Sequence, residues 1–255
     1  MLHHWVAKSV YKIHSPFVYD FYIRVLKNRG KQVDVEKIEA SRRLLLNSNA
    51  QIDIEDFGAG KGGKAKKFVQ RRIKELAEKA LKPAYLAQIL GRIVEFSQPQ
   101  FILELGTCFG ITTAYFASYS PSSIIYTLEG SKSIAEMAKD NFKKLSFPQI
   151  KVITGNFDTE LPKLIPQMKG SPKLYYIDGN HRLEPTLNYF HQLLAVSTED
   201  DIFIFDDIHW SIGMETAWKT IKNNDQVYLS LDLFYFGIVF LKRNRAKEHF
   251  VLRVF

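Results

Sequence analysis

Three aspartates and two histidines fall in two short stretches, Ile177-Asp178-Gly179-Asn180-His181 and Phe205-Asp206-Asp207-Ile208-His209-Trp210. Each follows a run of apolar residues, at 174–177 and 202–205, of the length of a buried strand. In an open parallel sheet, ligands gather outside the carboxyl ends of the strands. Neighbouring strands would therefore bring Asp178 close to Asp206 and Asp207, and three carboxylates repel unless a cation or protons intervene. Oxygen ligands favour Mg²⁺, Ca²⁺ or Mn²⁺ over Zn²⁺. An imidazole such as His181, with an ordinary pKa of about 6.5, suits proton removal; the competing role is to cap the turn or support the acids. His209 and Trp210 are expected to wall a site rather than to do chemistry.

A second group of residues can hold a sugar and a flat ring. Glu104-Leu105-Gly106-Thr107-Cys108-Phe109-Gly110 stands between an apolar run and a helical stretch. Gly106 lets the backbone turn tightly, and Gly110 lets the start of the helix lie against a ligand. Glu129 ends the next apolar run, where an acid can accept both hydroxyls of a ribose. Thr154-Gly155-Asn156-Phe157 ends the one after that, placing an amide and an aromatic ring where a purine edge and face can be gripped. Each feature alone also fits a packing turn or a surface acid.

Another glycine loop competes with the first. Gly58–Gly63 followed by Lys64 has the spacing of a phosphate-binding P-loop, with Asp206 and Asp207 as its acidic strand. However, Ala65 stands where a Ser or Thr hydroxyl would hold Mg²⁺, and a long helix-rich stretch intervenes before the next strand. A mobile loop or a plain turn is the better expectation there.

The elements that must position these residues follow from periodicity. Residues 1–99 are expected to be mostly helical, with helices from Ser15-Pro16 to Leu26, at 38–46, at 64–81 and at 84–96. After Pro99, short apolar runs at 101–105, 124–128, 151–154, 174–177 and 202–205 alternate with helical segments, which implies a parallel α/β sheet. Residues 227–233 and 235–241 follow each other so closely that they should form an antiparallel hairpin. The expected division is an N-terminal helical cap, 1–99, and a ligand-binding α/β domain, 100–255. There is no internal repeat.

Composition sets outer bounds. The 255 residues are 46% hydrophobic and 24% charged, ordinary for a globular chain. No apolar run approaches the ~20 residues of a membrane helix, and the first residues lack a signal-peptide pattern. The single cysteine, Cys108, excludes an intrachain disulfide, and a cytoplasmic setting is expected. Residues 1–99 hold 19 Lys and Arg against 10 Asp and Glu, while residues 100–255 hold 16 against 17. That basic excess fits a solvated helical surface or an acidic partner such as RNA.

Taken together, the loop at 104–110, Glu129, Asn156-Phe157 and the terminal hairpin resemble the class I S-adenosylmethionine (SAM)-dependent methyltransferases over about residues 99–241. The resemblance implies a Rossmann-like seven-stranded sheet, mostly parallel with a terminal antiparallel hairpin. It also implies that Glu104, Gly106, Thr107 and Gly110 border the methionine part of the cofactor, with Asp178 near the same end. Glu129 then binds ribose, and Asn156 and Phe157 border adenine. The aspartates look like those of the metal-dependent O-methyltransferases, which maps Mg²⁺ or Ca²⁺ onto Asp178, Asp206 and Asp207. Where catechol-type members place a lysine after the first aspartate, this chain has Asn180-His181, as in bacterial branches. His181 and Asp178 are then the candidates for the base.

The function so implied is methyl transfer from SAM to a hydroxyl of a small molecule, with a homodimer left open. One rival is an RNA or protein methyltransferase using the basic N-terminal region, although the sequence shows no RNA-binding module. Another is a nucleotide hydrolase using Gly58–Lys64, and a third is a non-catalytic cofactor-binding protein.

Overall fold

The structure is a computed structural model that describes residues 13–27, 33–56, 67–170, 172–241 and 247–254. Ser15-Pro16 starts the first helix, α1 (Pro16–Phe21), because proline at the first position is pre-set for helical φ and its missing N–H costs nothing there. A π-turn continues it over Tyr22–Leu26. Helix α2 (Glu36–Leu46) follows, then strands β1 (Gln51–Asp56) and β2 (Lys67–Arg72), then helices α3 (Ile73–Ala80) and α4 (Ala84–Ser97).

One expectation is corrected here. Residues 64–81 are not a single helix: β2 pairs antiparallel with β1, with Ile54 opposite Val69, and the helix begins only at Ile73. Pairing with a partner strand in reach outweighs the helical spacing of the apolar residues. The glycine-rich segment with Gly58–Lys64 lies outside the described residues. A P-loop leads directly into a helix, whereas the first described residues after this segment, Lys67–Arg72, form a strand.

From residue 101 onward the expected alternation is present. The elements are β3 (Phe101–Leu105), α5 (Ile111–Tyr119), β4 (Ile124–Glu129), α6 (Lys132–Lys144), β5 (Ile150–Thr154), α7 (Phe157–Leu164), β6 (Lys173–Ile177), α8 (Leu183–Leu194), β7 (Ile202–Asp206), α9 (Ile212–Asn223), β8 (Leu229–Asp232), β9 (Phe236–Phe240) and β10 (Glu248–Val251). The sheet order is β10-β8-β9-β7-β6-β3-β4-β5. Strands β3 to β9 are the seven expected ones, with β8 and β9 as the antiparallel hairpin. β10 is an addition, a four-residue strand parallel to β8 that is too short to stand out in the sequence.

Contacts divide the chain into two compact units, Met1–Lys31 with Arg92–Leu103 and Ile165–Phe255, and Gln32–Gly91 with Glu104–Leu164. In the first, the rings of Phe17 and Phe21 meet Phe96 and Phe240 edge to face at 5.2–6.3 Å. Phe190 packs against Phe203 and Phe205 in the same manner. Each fully buried ring of this kind contributes about 1.5–3 kcal/mol through removal from water. In the second, Ile52, Ile73, Ala77, Phe109 and Ile134 form one buried cluster. A buried polar link adds to it, since Glu39 accepts from Arg42 Nε at 3.0 Å and from the Tyr115 hydroxyl at 2.6 Å. No helix among the described residues is long and apolar enough to cross a membrane.

Candidate functional site

In the second unit, β3 delivers Glu104 into the interior with no exposed surface. One carboxylate oxygen accepts from the hydroxyls of Thr113 and Thr127, the latter at 2.6 Å. Thr127 also meets the Thr107 hydroxyl at 2.5 Å. The other oxygen, Oε1, is buried with no hydrogen-bond partner among the described residues. Burial pushes the Glu104 pKa up to about 7; the threonine hydrogen bonds pull it down, and the nearby charge of Glu129 adds to the rise.

This raised value has a consequence for stability. Below about pH 4.5 the acid is protonated in both folded and unfolded chains, so no penalty arises. Between about 4.5 and 7 only the unfolded chain ionises, so stability falls as pH rises and the loss is complete above 7. Glu104→Gln is expected to flatten that slope and to recover on the order of 2 to 3 kcal/mol at pH 8. Urea unfolding midpoints at pH 5 and pH 8 check this, and an unchanged slope in the variant would refute it.

The loop after Glu104 is shaped by positive φ angles, +108° at Gly106, +48° at Cys108 and +78° at Gly110. Gly106 N–H and Thr107 N–H both donate to the carbonyl of Leu128, which holds the loop against the end of β4. Gly110 heads α5, and a Cβ there would sit 2.3 Å from the Phe142 ring. Gly110→Ala combines left-handed backbone strain with that clash, so about 2 kcal/mol of stability or more should be lost. A thermal melt of the variant tests it; an unshifted midpoint would mean that the loop relaxes freely.

Glu129 stands at the end of β4, where its register partner is Thr154 at the end of β5. Its Oε2 accepts from Cys108 N–H at 2.9 Å and its Oε1 from Ser131 N–H at 2.9 Å. Burial raises its pKa and those backbone donors oppose the rise. Gly130 N–H is a third backbone donor to this carboxylate, whose roughly four lone-pair directions still leave acceptor capacity. Next along, Gly155 N–H donates to the Glu129 carbonyl at 2.9 Å. Asn156 is exposed, and its side-chain oxygen accepts from Asp158 N–H at 2.8 Å, so the side-chain carbonyl is occupied in turning the chain into α7. Phe157, the first residue of that helix, is half-buried.

In the first unit, parallel pairing of β6 and β7 sets Ile177 opposite Phe205. The register therefore carries Asp178 and Asp206 to the same edge. Asp178, His181 and Asp206 each present a ligand atom within 4.8 Å of the other two. His181 Nε2 lies 3.7 Å from Asp178 Oδ1, while the Tyr176 hydroxyl donates to Asp178 Oδ2 at 2.9 Å. Asp206 is fully buried. Asp207 does not join this group: at φ +52° the chain turns, and its N–H bonds to the Tyr235 carbonyl at 2.8 Å.

His209 is held apart from the group. Its Nε2 lies 3.0 Å from Asp232 Oδ2, its ring stacks on Phe234, and the hydrogen bond to Asp232 raises its pKa. Trp210 is 75% exposed. Sequence reading missed Tyr176 and Asp232. Tyr176 sits in an apolar run that gave no reason to separate it from core tyrosines, and Asp232 ends a strand of the hairpin, far from His209 in sequence.

Residues 103–208 match a family model described as a methyltransferase domain. The match runs from within β3 to just beyond β7 and spans both groups of polar residues, so this stretch is similar to a methyltransferase domain and lies on a Rossmann-like sheet. Among solved structures, an O-methyltransferase from Bacillus cereus in complex with SAH is 20% identical, covering 63% of this chain and 83% of that one, with a TM-score of 0.54. The O-methyltransferase TomG from Streptomyces achromogenes, in complex with SAM, is 16% identical over 64% and 82%, with a TM-score of 0.52. An SAH-bound methyltransferase from Podospora anserina is 14% identical over 92% and 98%, with a TM-score of 0.59, so that likeness extends into the N-terminal region. At these identities the likeness is one of fold. Comparison with curated proteins gives no match.

Proposed function

We propose that the chain is a SAM-dependent O-methyltransferase acting on a hydroxyl of a small molecule. Residues 100–255 would form the SAM-binding domain and residues 1–99 the N-terminal cap. The observation that carries the reading is Glu129, a strand-end carboxylate held by backbone N–H donors including Cys108 and Ser131, with acceptor capacity left for ribose. The turn at Gly106 and the positive-φ start of α5 at Gly110 supply backbone that can approach a ligand closely. SAM when bound supplies a methyl group already activated on a positively charged sulfur. The protein's own part is then alignment and the removal of one proton.

For the proton, His181 is the acceptor in this reading. An imidazolium formed there stands 3.7 Å from Asp178, which stabilises its charge, and Tyr176 fixes the other oxygen of that carboxylate. Asp178 and Asp206 suit a divalent cation such as Mg²⁺ or Ca²⁺, which would lower the pKa of an acceptor hydroxyl. Titration calorimetry with SAH, beside methyl transfer from labelled SAM to a panel of hydroxyl compounds, tests the proposal. ATP binding without SAH binding would overturn it.

A further inference from the structure

Two of the donors that hold Glu129 are themselves held by the N-terminal helices and hairpin. Phe109, next to Cys108, belongs to the buried cluster with Ile52 of β1 and Ile73 and Ala77 of α3, and Cys108 packs against that cluster, as do Leu45 and Leu46 of α2 and Ile54 of β1. Ser131, the other donor, has its hydroxyl 3.2 Å from that of Ser133. Ser133 in turn donates to the backbone carbonyl of Asp53 in β1. Strand β1 thus shares one apolar cluster with the Cys108 arm of the grip and is linked to the Ser131 arm by hydrogen bonds through Ser133. Cys108 is also at φ +48°, a conformation that costs a non-glycine residue about 1 kcal/mol or more and persists only where the surroundings impose it.

We infer that the β1–β2 hairpin is part of the cofactor site, acting through Ser133 and the Ile52–Ile54 face as a positioning element that aims the Glu129 carboxylate at the ribose hydroxyls. The inference rests on the proposed role of Glu129. Without the hairpin the two N–H donors would be free to shift, and a carboxylate whose ionisation burial already disfavours would lose the groups that offset that cost. Residues 1–99 would then contribute to cofactor selectivity as well as to covering the domain.

The test compares SAH with its 2′,3′-dideoxy analogue by calorimetry on the full chain. The unaltered protein should prefer SAH. Ser133→Ala should weaken SAH about fivefold, the size of one lost hydrogen bond, while the dideoxy analogue, which has no hydroxyls to grip, changes less than about twofold. Ser133→Thr keeps the hydroxyl and should restore the preference. Ile54→Ala, at a half-buried position, should reduce the same ratio through the Cys108 side. Equal losses for both ligands, no loss for either, or no rescue by threonine would overturn the inference and leave Glu129 in place. If the unaltered protein shows no preference, or Glu129→Ala keeps it, the reading of Glu129 fails and the inference falls with it.

Discussion

Glu129→Ala should weaken SAH binding by about 2 to 4 kcal/mol, a loss of roughly thirtyfold to a thousandfold. Two hydrogen bonds from ribose hydroxyls to a charged acceptor account for most of this. The remainder comes from the loop, because Cys108 N–H and Ser131 N–H both lose their acceptor. Glu129→Gln separates the two contributions: it keeps one carbonyl acceptor but offers an amide that repels the other donor, so an intermediate loss is expected. Fold stability should move little, since the side chain is only half-buried and its burial raises its pKa. Lys64→Ala serves as the opposite control and should leave SAH affinity unchanged. Equal SAH affinity in the Glu129→Ala protein would remove this residue from the site, and a large loss of ATP binding in the Lys64→Ala protein would revive the nucleotide-hydrolase reading.

The sheet could be read from the chain because its strands are buried on both faces. Ile202–Phe205 is apolar throughout and Phe101–Leu105 is apolar but for Glu104, and helices of ordinary length lie between the strands. The positions of Glu129, Asp178 and Asp206 followed, since each terminates or directly follows such a run, and Glu104 stands one residue before the end of its own. What was not legible depends on pairing between distant residues. Nothing in Lys67–Arg72 separates a strand from the first turns of a helix until Gln51–Asp56 lies beside it. Asp206 and Asp207 differ by one position, and only the left-handed turn at Asp207 decides which of them joins Asp178. The links from Asp53 to Ser133 and from Glu39 to Tyr115 span 80 and 76 residues, beyond the reach of any local pattern.

That one-residue difference makes the metal experiment sharp. The carboxylates of Asp178 and Asp206, with ligand atoms within 4.8 Å of each other, repel when both are ionised, and a divalent cation between them relieves the repulsion. Mg²⁺ or Ca²⁺ should therefore raise the melting temperature; an ion at a hundred times its Kd adds about 2.7 kcal/mol to the folded state. Asp206→Asn should abolish that gain, because Asp206 is fully buried and belongs to the group. Asp207→Asn should keep most of it, since Asp207 stands outside the group and asparagine tolerates the positive φ found there. SAH affinity should survive both changes, as the proposed ribose acceptor is Glu129. Asp178→Asn is expected to lose the ion as well, but it also removes the carboxylate beside His181, so its effect on turnover has two sources. His181→Ala distinguishes a base from a ligand: methyl transfer should fall while stabilisation by the ion remains. Loss of the ion effect in that variant would make the imidazole a metal ligand and leave Asp178 as the candidate base. If no divalent ion stabilises the unaltered protein in the presence of SAH, the metal mechanism fails, and proton removal by His181 beside Asp178 must proceed without it.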